Sequence, residues 1–131
     1  MFEYLTYSTK LNPKYAEGHF NLGIIYLKKG DFDNAAHSFL NTIRIRPEDS
    51  NALNMLGVAF FKKGNIESSI NYYLKAMELN PHNDKIYNNL AIAYSKSGNL
   101  EAALLIYLKA LKIDSNSFST LFNLGRIYQQ K

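Results

Sequence analysis

The chain has no cysteine, which excludes disulfide staples, thiolate catalysis and cysteine-ligated zinc together. It has no tryptophan and only three prolines. No stretch is rich in Pro or in Gly and Ser, so neither a linker nor a second domain is indicated. Apolar runs stay far below the ~20 residues that cross a bilayer. The opening MFEYLTYSTKLNP lacks the basic start and apolar centre of a signal peptide. A cytoplasmic location without a membrane partner is therefore expected. Charge is nearly balanced, with 15 Lys and Arg against 11 Asp and Glu. The cations are spread along the chain without forming a basic block, which argues against a nucleic-acid partner and leaves a mild preference for acidic ones. Clusters that carry chemistry are missing as well. His19, His37 and His82 show no i, i+4 pairing of the kind that holds a metal on a helix, and there is no phosphate loop or nucleophile elbow. No catalytic residue, metal or cofactor is expected.

What the sequence does carry is a period. Gly23, Gly57, Ala91 and Gly125 recur 34 residues apart, each directly after a leucine, and a fixed interval of this size marks a stacked repeat array. The units run over 16–49, 50–83 and 84–117. Residues 1–15 form the second half of a unit, because Leu5, Ser8, Leu11 and Pro13 align with Phe39, Thr42, Ile45 and Pro47. Residues 118–131 form the first half of another. Within each unit apolar residues at helical spacing are interrupted by Gly30, Gly64 or Gly98, which suit a helix stop. Asp31, Asn65 and Asn99 follow as N-caps for a second helix. Pro47 and Pro81 end that helix; Ser115 stands in the third position, so a less sharp end is expected there. Small columns (Gly23/Gly57/Ala91/Gly125, Ala35/Ser69/Ala103, Ser8/Thr42/Ala76/Ala110) alternate with large ones (Phe39/Tyr73/Tyr107, Tyr26/Phe60/Tyr94/Tyr128), the large-against-small arrangement of two closely packed helices.

These columns resemble the tetratricopeptide repeat, a 34-residue helix–turn–helix unit with a W, L-G, Y, A, F, A, P pattern. The match covers essentially the whole chain. It departs at the opening aromatic, where His19, Leu53, Tyr87 and Leu121 stand, and at Thr42, Ser69 and Ser115. Pentatricopeptide repeats, which read RNA, differ in spacing and lack this order of residues. The resemblance implies an all-α, right-handed solenoid of three complete repeats flanked by two half repeats. It also implies that the first helices line a concave groove that binds a peptide or protein segment.

Carried onto this sequence, that implication makes Phe20, Asn21, Asn54, Asn88, Asn89, Asn123 and Arg126 groove positions. Asn21, Asn89 and Asn123 share one column, broken by Met55, and resemble the asparagine ladder in the repeats of O-linked N-acetylglucosamine transferases. A carboxamide offers both a donor and an acceptor to a peptide group. Lys28, Lys62 and Lys96 form a column at the ends of first helices, where they could attract an acidic peptide; cations there also offset the helix macrodipole. The carboxylate clamp of co-chaperones would need Lys and Asn at Phe20 and Ile24, Asn at Met55 and a basic residue at Asn89, so that mechanism is not expected. A non-catalytic protein-interaction module is the leading expectation. Two alternatives stand beside it: the targeting segment of a larger enzyme, and a self-assembling array. In the second, the half repeats of different copies join head-to-tail through Leu5, Leu121, Leu124 and Tyr128, because repeat arrays need covered ends.

Overall fold

The structure, a computed structural model, describes residues 14–130. Among them are seven α-helices and no strand: α1 Lys14–Lys28, α2 Phe32–Ile45, α3 Ser50–Lys63, α4 Ile66–Leu79, α5 Asp84–Lys96, α6 Leu100–Ile113 and α7 Phe118–Gln130. They form the stacked helix–turn–helix arrangement that the period predicts.

The turn inside each unit follows from three residues. Gly30, Gly64 and Gly98 take φ of 79°, 94° and 91°, a left-handed conformation that costs glycine nothing. The next residue then folds back, so that the N–H groups of Asp31, Asn65 and Asn99 donate to the carbonyls of Tyr26, Phe60 and Tyr94, each at 2.9 Å. This satisfies carbonyls left without helical partners. The same three residues cap the second helices, their side chains accepting from the N–H of Asn34, Ser68 and Ala102. Asp49, Asn83 and Ser117 do likewise for α3, α5 and α7.

The end of α6 departs from expectation. It stops at Ile113, in the same column as Ile45 and Leu79, without a proline. Asp114 supplies the stop: its carboxylate accepts from the N–H of Asn116 at 3.1 Å and its carbonyl from Ser117 at 3.2 Å. A side-chain turn of this kind competes with helix continuation.

Packing explains the small columns. A Cβ built on Gly23 would lie 2.6 Å from the Phe39 ring, and one on Gly57 would lie 2.5 Å from the Tyr73 ring. Both rings are buried, as are Ala35, Ser69 and Ala103, and Thr42, Ala76 and Ala110. Hydroxyls in these columns are satisfied locally, Thr42 by the Ser38 carbonyl and Ser69 by that of Ile66. Every helix packs against its neighbours in sequence, and α3 also touches α5 while α5 touches α7. The second helices make no comparable contact among the described residues, so the first helices lie on the tighter side of the stack.

Candidate functional site

The first helices create a run of hollows. One, about 710 Å³, is lined by Asn54, Asp84, Lys85, Asn89, Asp114, Phe118 and Asn123, with Asn88 and Ile92 also in its walls. An adjoining one of about 360 Å³ shares Ile92 and Asn123 and adds Ser95, Lys96, Tyr107 and Arg126. A third, about 400 Å³, holds Glu17, Phe20, Asn21, Arg46, Asp49 and Asn51 near α1.

Inside the first of these hollows the Asn89 Nδ2 donates to Asn54 Oδ1 at 3.0 Å. This bond crosses from α5 to α3 and orients both carboxamides. The Asn54 amide hydrogens and the Asn89 oxygen remain, one donor and one acceptor side by side. Sequence columns point to Asn21, Asn89 and Asn123 as the ladder; the structure pairs Asn89 with Asn54, puts Asn123 in the same hollow and puts Asn21 in a different one. Only the helix-to-helix offset, invisible in the columns, decides this.

Burial bears on further positions. Asn88 is 8% exposed, with Nδ2 donating to the Asp84 carbonyl at 3.0 Å and Oδ1 accepting from Thr120 Oγ1 at 2.9 Å. It ties α5 to α7 through both ends of its carboxamide. Leu124, expected at an open end, is also 8% exposed and packs in the core cluster with Tyr107 and Ile127, because its direction on α7 is toward α6. Phe20 is half-buried, its ring centroid 5.6 Å from that of Phe39, so most of it belongs to the core. Leu5 lies outside the described residues. Leu121 and Tyr128 are exposed.

Charge around α7 is mixed: Asp84 and Asp114 stand with Lys85 in the walls of the hollow of about 710 Å³, whereas Lys96 and Arg126 line the one of about 360 Å³ with no carboxylate among its walls. Burial pushes the Tyr107 phenol up to about 12, partly opposed by the Arg126 cation. Lys28 and Lys62 are exposed in the last turns of their helices and line none of these three hollows. Lys63 is held elsewhere, 2.6 Å from Asp33. His19 comes near His37, whose charge adds to partial burial in lowering its pKa. Among the described residues no group of three or more metal-ligating side chains converges, and no helix is long and apolar enough to cross a membrane.

A family model described as TPR repeat matches residues 57–98 and 93–131, and one described as tetratricopeptide repeat matches 16–49. The chain belongs to the tetratricopeptide repeat family. No curated protein matches it in sequence. Solved tetratricopeptide repeat structures do match in shape. The first such domain of Spaghetti (RPAP3), bound to the HSP90 peptide SRMEEVD, superposes with a TM-score of 0.86 at 22% identity, covering 91% of this chain and 94% of that one. The first domain of human RPAP3 gives 0.86 at 23%, covering 90% and 93%. The Sgt2 domain from Aspergillus fumigatus gives 0.84 at 16%, covering 88% and 78%. At these identities the likeness establishes the fold.

Proposed function

We propose that this tetratricopeptide repeat chain is a non-catalytic module that holds an extended peptide segment along the first helices, centred on α3, α5 and α7. The observation that carries the reading is the oriented Asn54–Asn89 pair, with Asn123 lining the same hollow. Carboxamides aimed into a trough pair with peptide groups of any sequence, so they give register without reading side chains. Side-chain preference then comes from the walls: Ile92 and Phe118 are apolar, and Lys96 with Arg126 favours an acidic residue at the α7 end. The SRMEEVD peptide bound by the RPAP3 relative is acidic, in keeping with that preference, although Phe20, Ile24, Met55 and Asn89 stand where a carboxylate clamp would need basic or amide groups.

The test is selection of binding peptides from a random displayed library against the full chain, followed by calorimetric titration of the selected peptide. Asn54→Ala, Asn89→Ala and Asn123→Ala should each weaken binding by about 0.5–1.5 kcal/mol, the net worth of one hydrogen bond. Affinity unchanged in the triple variant would refute the reading.

A further inference from the structure

The hollow of about 360 Å³ is rich in donors. Ser95 and Lys96 enter it from α5, Tyr107 from α6, and Asn123 and Arg126 from α7. No carboxylate lines it, and neither cation is held in an ion pair among the described residues. Tyr107 is 2% exposed, and its hydroxyl makes no hydrogen bond among the described residues. Every sealed side-chain oxygen among them has a partner, so this one opens onto the hollow. With its phenol pushed up to about 12, it stays protonated at neutral pH and stands as a donor without an acceptor. The arrangement is particular to this place. Ile24, Val58 and Ile92 share the column of Arg126, so the equivalent partners of Lys28 and Lys62 are the apolar Val58 and Ile92. Those three side chains are half-buried and both lysines exposed in units that a second helix completes. The opening therefore belongs to the face of the first helices.

A phosphate monoester suits this set better than a carboxylate does. It carries about −1.5 to −2 charge on three acceptor oxygens, against the single charge and two oxygens of a carboxylate. Donors that arrive from three helices can meet acceptors that point in different directions. The adjoining hollow disfavours an acidic run, because Asp84 and Asp114 stand in its walls, so the charge is best concentrated on one residue. Resting on the peptide reading above for the molecule that carries it, we propose that the hollow receives the phosphate of a phosphoserine or phosphothreonine in the bound segment. Arg126 supplies a planar fork, Lys96 a point charge, and Tyr107 with Ser95 and Asn123 the neutral donors.

The test starts from displayed random peptides with a fixed central phosphoserine, selected against the full chain. A selected peptide is then titrated by calorimetry in its phosphoserine, serine and glutamate forms. The phosphoserine form should bind about tenfold to a hundredfold tighter than the serine form, the worth of charged hydrogen bonds, with glutamate between them. Lys96→Gln and Arg126→Gln should each cut that preference by about fivefold and together abolish it, leaving the serine form within about twofold of the parent. Tyr107→Phe should cut it by a smaller factor and Lys62→Gln should not change it, whereas Asn54→Ala should weaken both forms alike. Equal binding of the two forms overturns the proposal, and the groove reading survives it if Asn54→Ala still weakens both. An empty phosphoserine selection overturns it too; binders from an unphosphorylated library would then keep the groove reading. A preference that survives the Lys96→Gln and Arg126→Gln double variant places the phosphate elsewhere and overturns it as well. Inorganic phosphate that displaces the peptide at the peptide's own concentration would mean a free-anion site and overturns the assigned source. A preference lost in the double variant, with binding indifferent to Asn54→Ala and Asn89→Ala, supports the phosphate hollow and refutes the carboxamide trough.

Discussion

Substituting Gly57 by leucine tests the register between α3 and α4. The first added atom alone would stand 2.5 Å from Tyr73 Cε1, 2.6 Å from Cδ1 and 3.1 Å from Cζ, where carbon atoms prefer about 3.5–4.0 Å. The ring must retreat by roughly 1 Å before the rest of the leucine is placed. Tyr73 is buried and shares its cluster with Tyr87 and Leu90, so the displacement is passed to α5. Overpacking of this kind costs about 1–3 kcal/mol, and the upper part of that range applies because both partners are fixed by helices. The exchange of glycine for leucine in a helix returns somewhat under about 1 kcal/mol. The net destabilisation should be about 2 kcal/mol, or roughly 8 °C in melting temperature for a chain of this size. Gly18→Ala is the control: Gly18 is exposed, a Cβ there meets nothing within 4 Å, and the change should stabilise α1 by about 0.5–1 kcal/mol. Thermal unfolding followed by circular dichroism reads both. A Gly57→Leu melting temperature equal to or above the parent's would refute the packing register.

Replacing Asn88 with leucine should cost about 0.5–1.5 kcal/mol, because the buried Thr120 hydroxyl loses the nearer of its two acceptors and keeps only Ser117 Oγ at 3.1 Å; chemical denaturation measures it. If Thr120→Val together with Asn88→Leu recovers most of that loss, the bond and not the volume is responsible. The lowered pKa of His19 means that the unfolded chain takes up its proton first as pH falls below 6.5. Stability should therefore decline on the acid side of 6.5, and the melting temperature of His19→Leu should be less sensitive to pH between 6.5 and 5.5 than the parent's. Tyr107 behaves in the opposite direction. With its phenol held at about 12, stability is fully present below pH 10 and falls as pH rises from 10 toward 12. Ultraviolet titration should show Tyr107 among the last phenols to ionise, and Tyr107→Phe should remove that late step.

Most of the fold was legible because each repeat states it again. Gly30, Gly64 and Gly98 occupy one column and take one conformation, and Asp31, Asn65 and Asn99 cap in the same way. A residue with several local options, such as Asp114, is where the column logic failed: the proline column suggested a less sharp end, and a carboxylate one residue earlier made a turn instead. The site was less legible for a geometric reason. Column alignment assigns a residue to a face of its own helix, and Asn21, Asn89 and Asn123 do share one. It does not give the offset between neighbouring helices, and that offset sets Asn54 against Asn89 and buries Asn88 against Thr120. Leu124 shows the same limit. Its column holds the recurring leucine of the period, buried at Leu56, Leu90 and Leu124 though not at Leu22, whereas Leu121 is exposed on α7 while Leu53 and Tyr87 in its column are buried.

The central claim is that an extended peptide lies on the carboxamides of α3, α5 and α7. The most direct measurement is a heteronuclear NMR titration of the full chain with a selected peptide, following the side-chain amide resonances of its asparagines. The account predicts that the Asn54, Asn89 and Asn123 amides shift together and saturably, while Asn41, Asn71 and Asn88 stay in place. Shifts confined to α2, α4 and α6, or an unmoved Asn54–Asn89 pair at saturation, would contradict it.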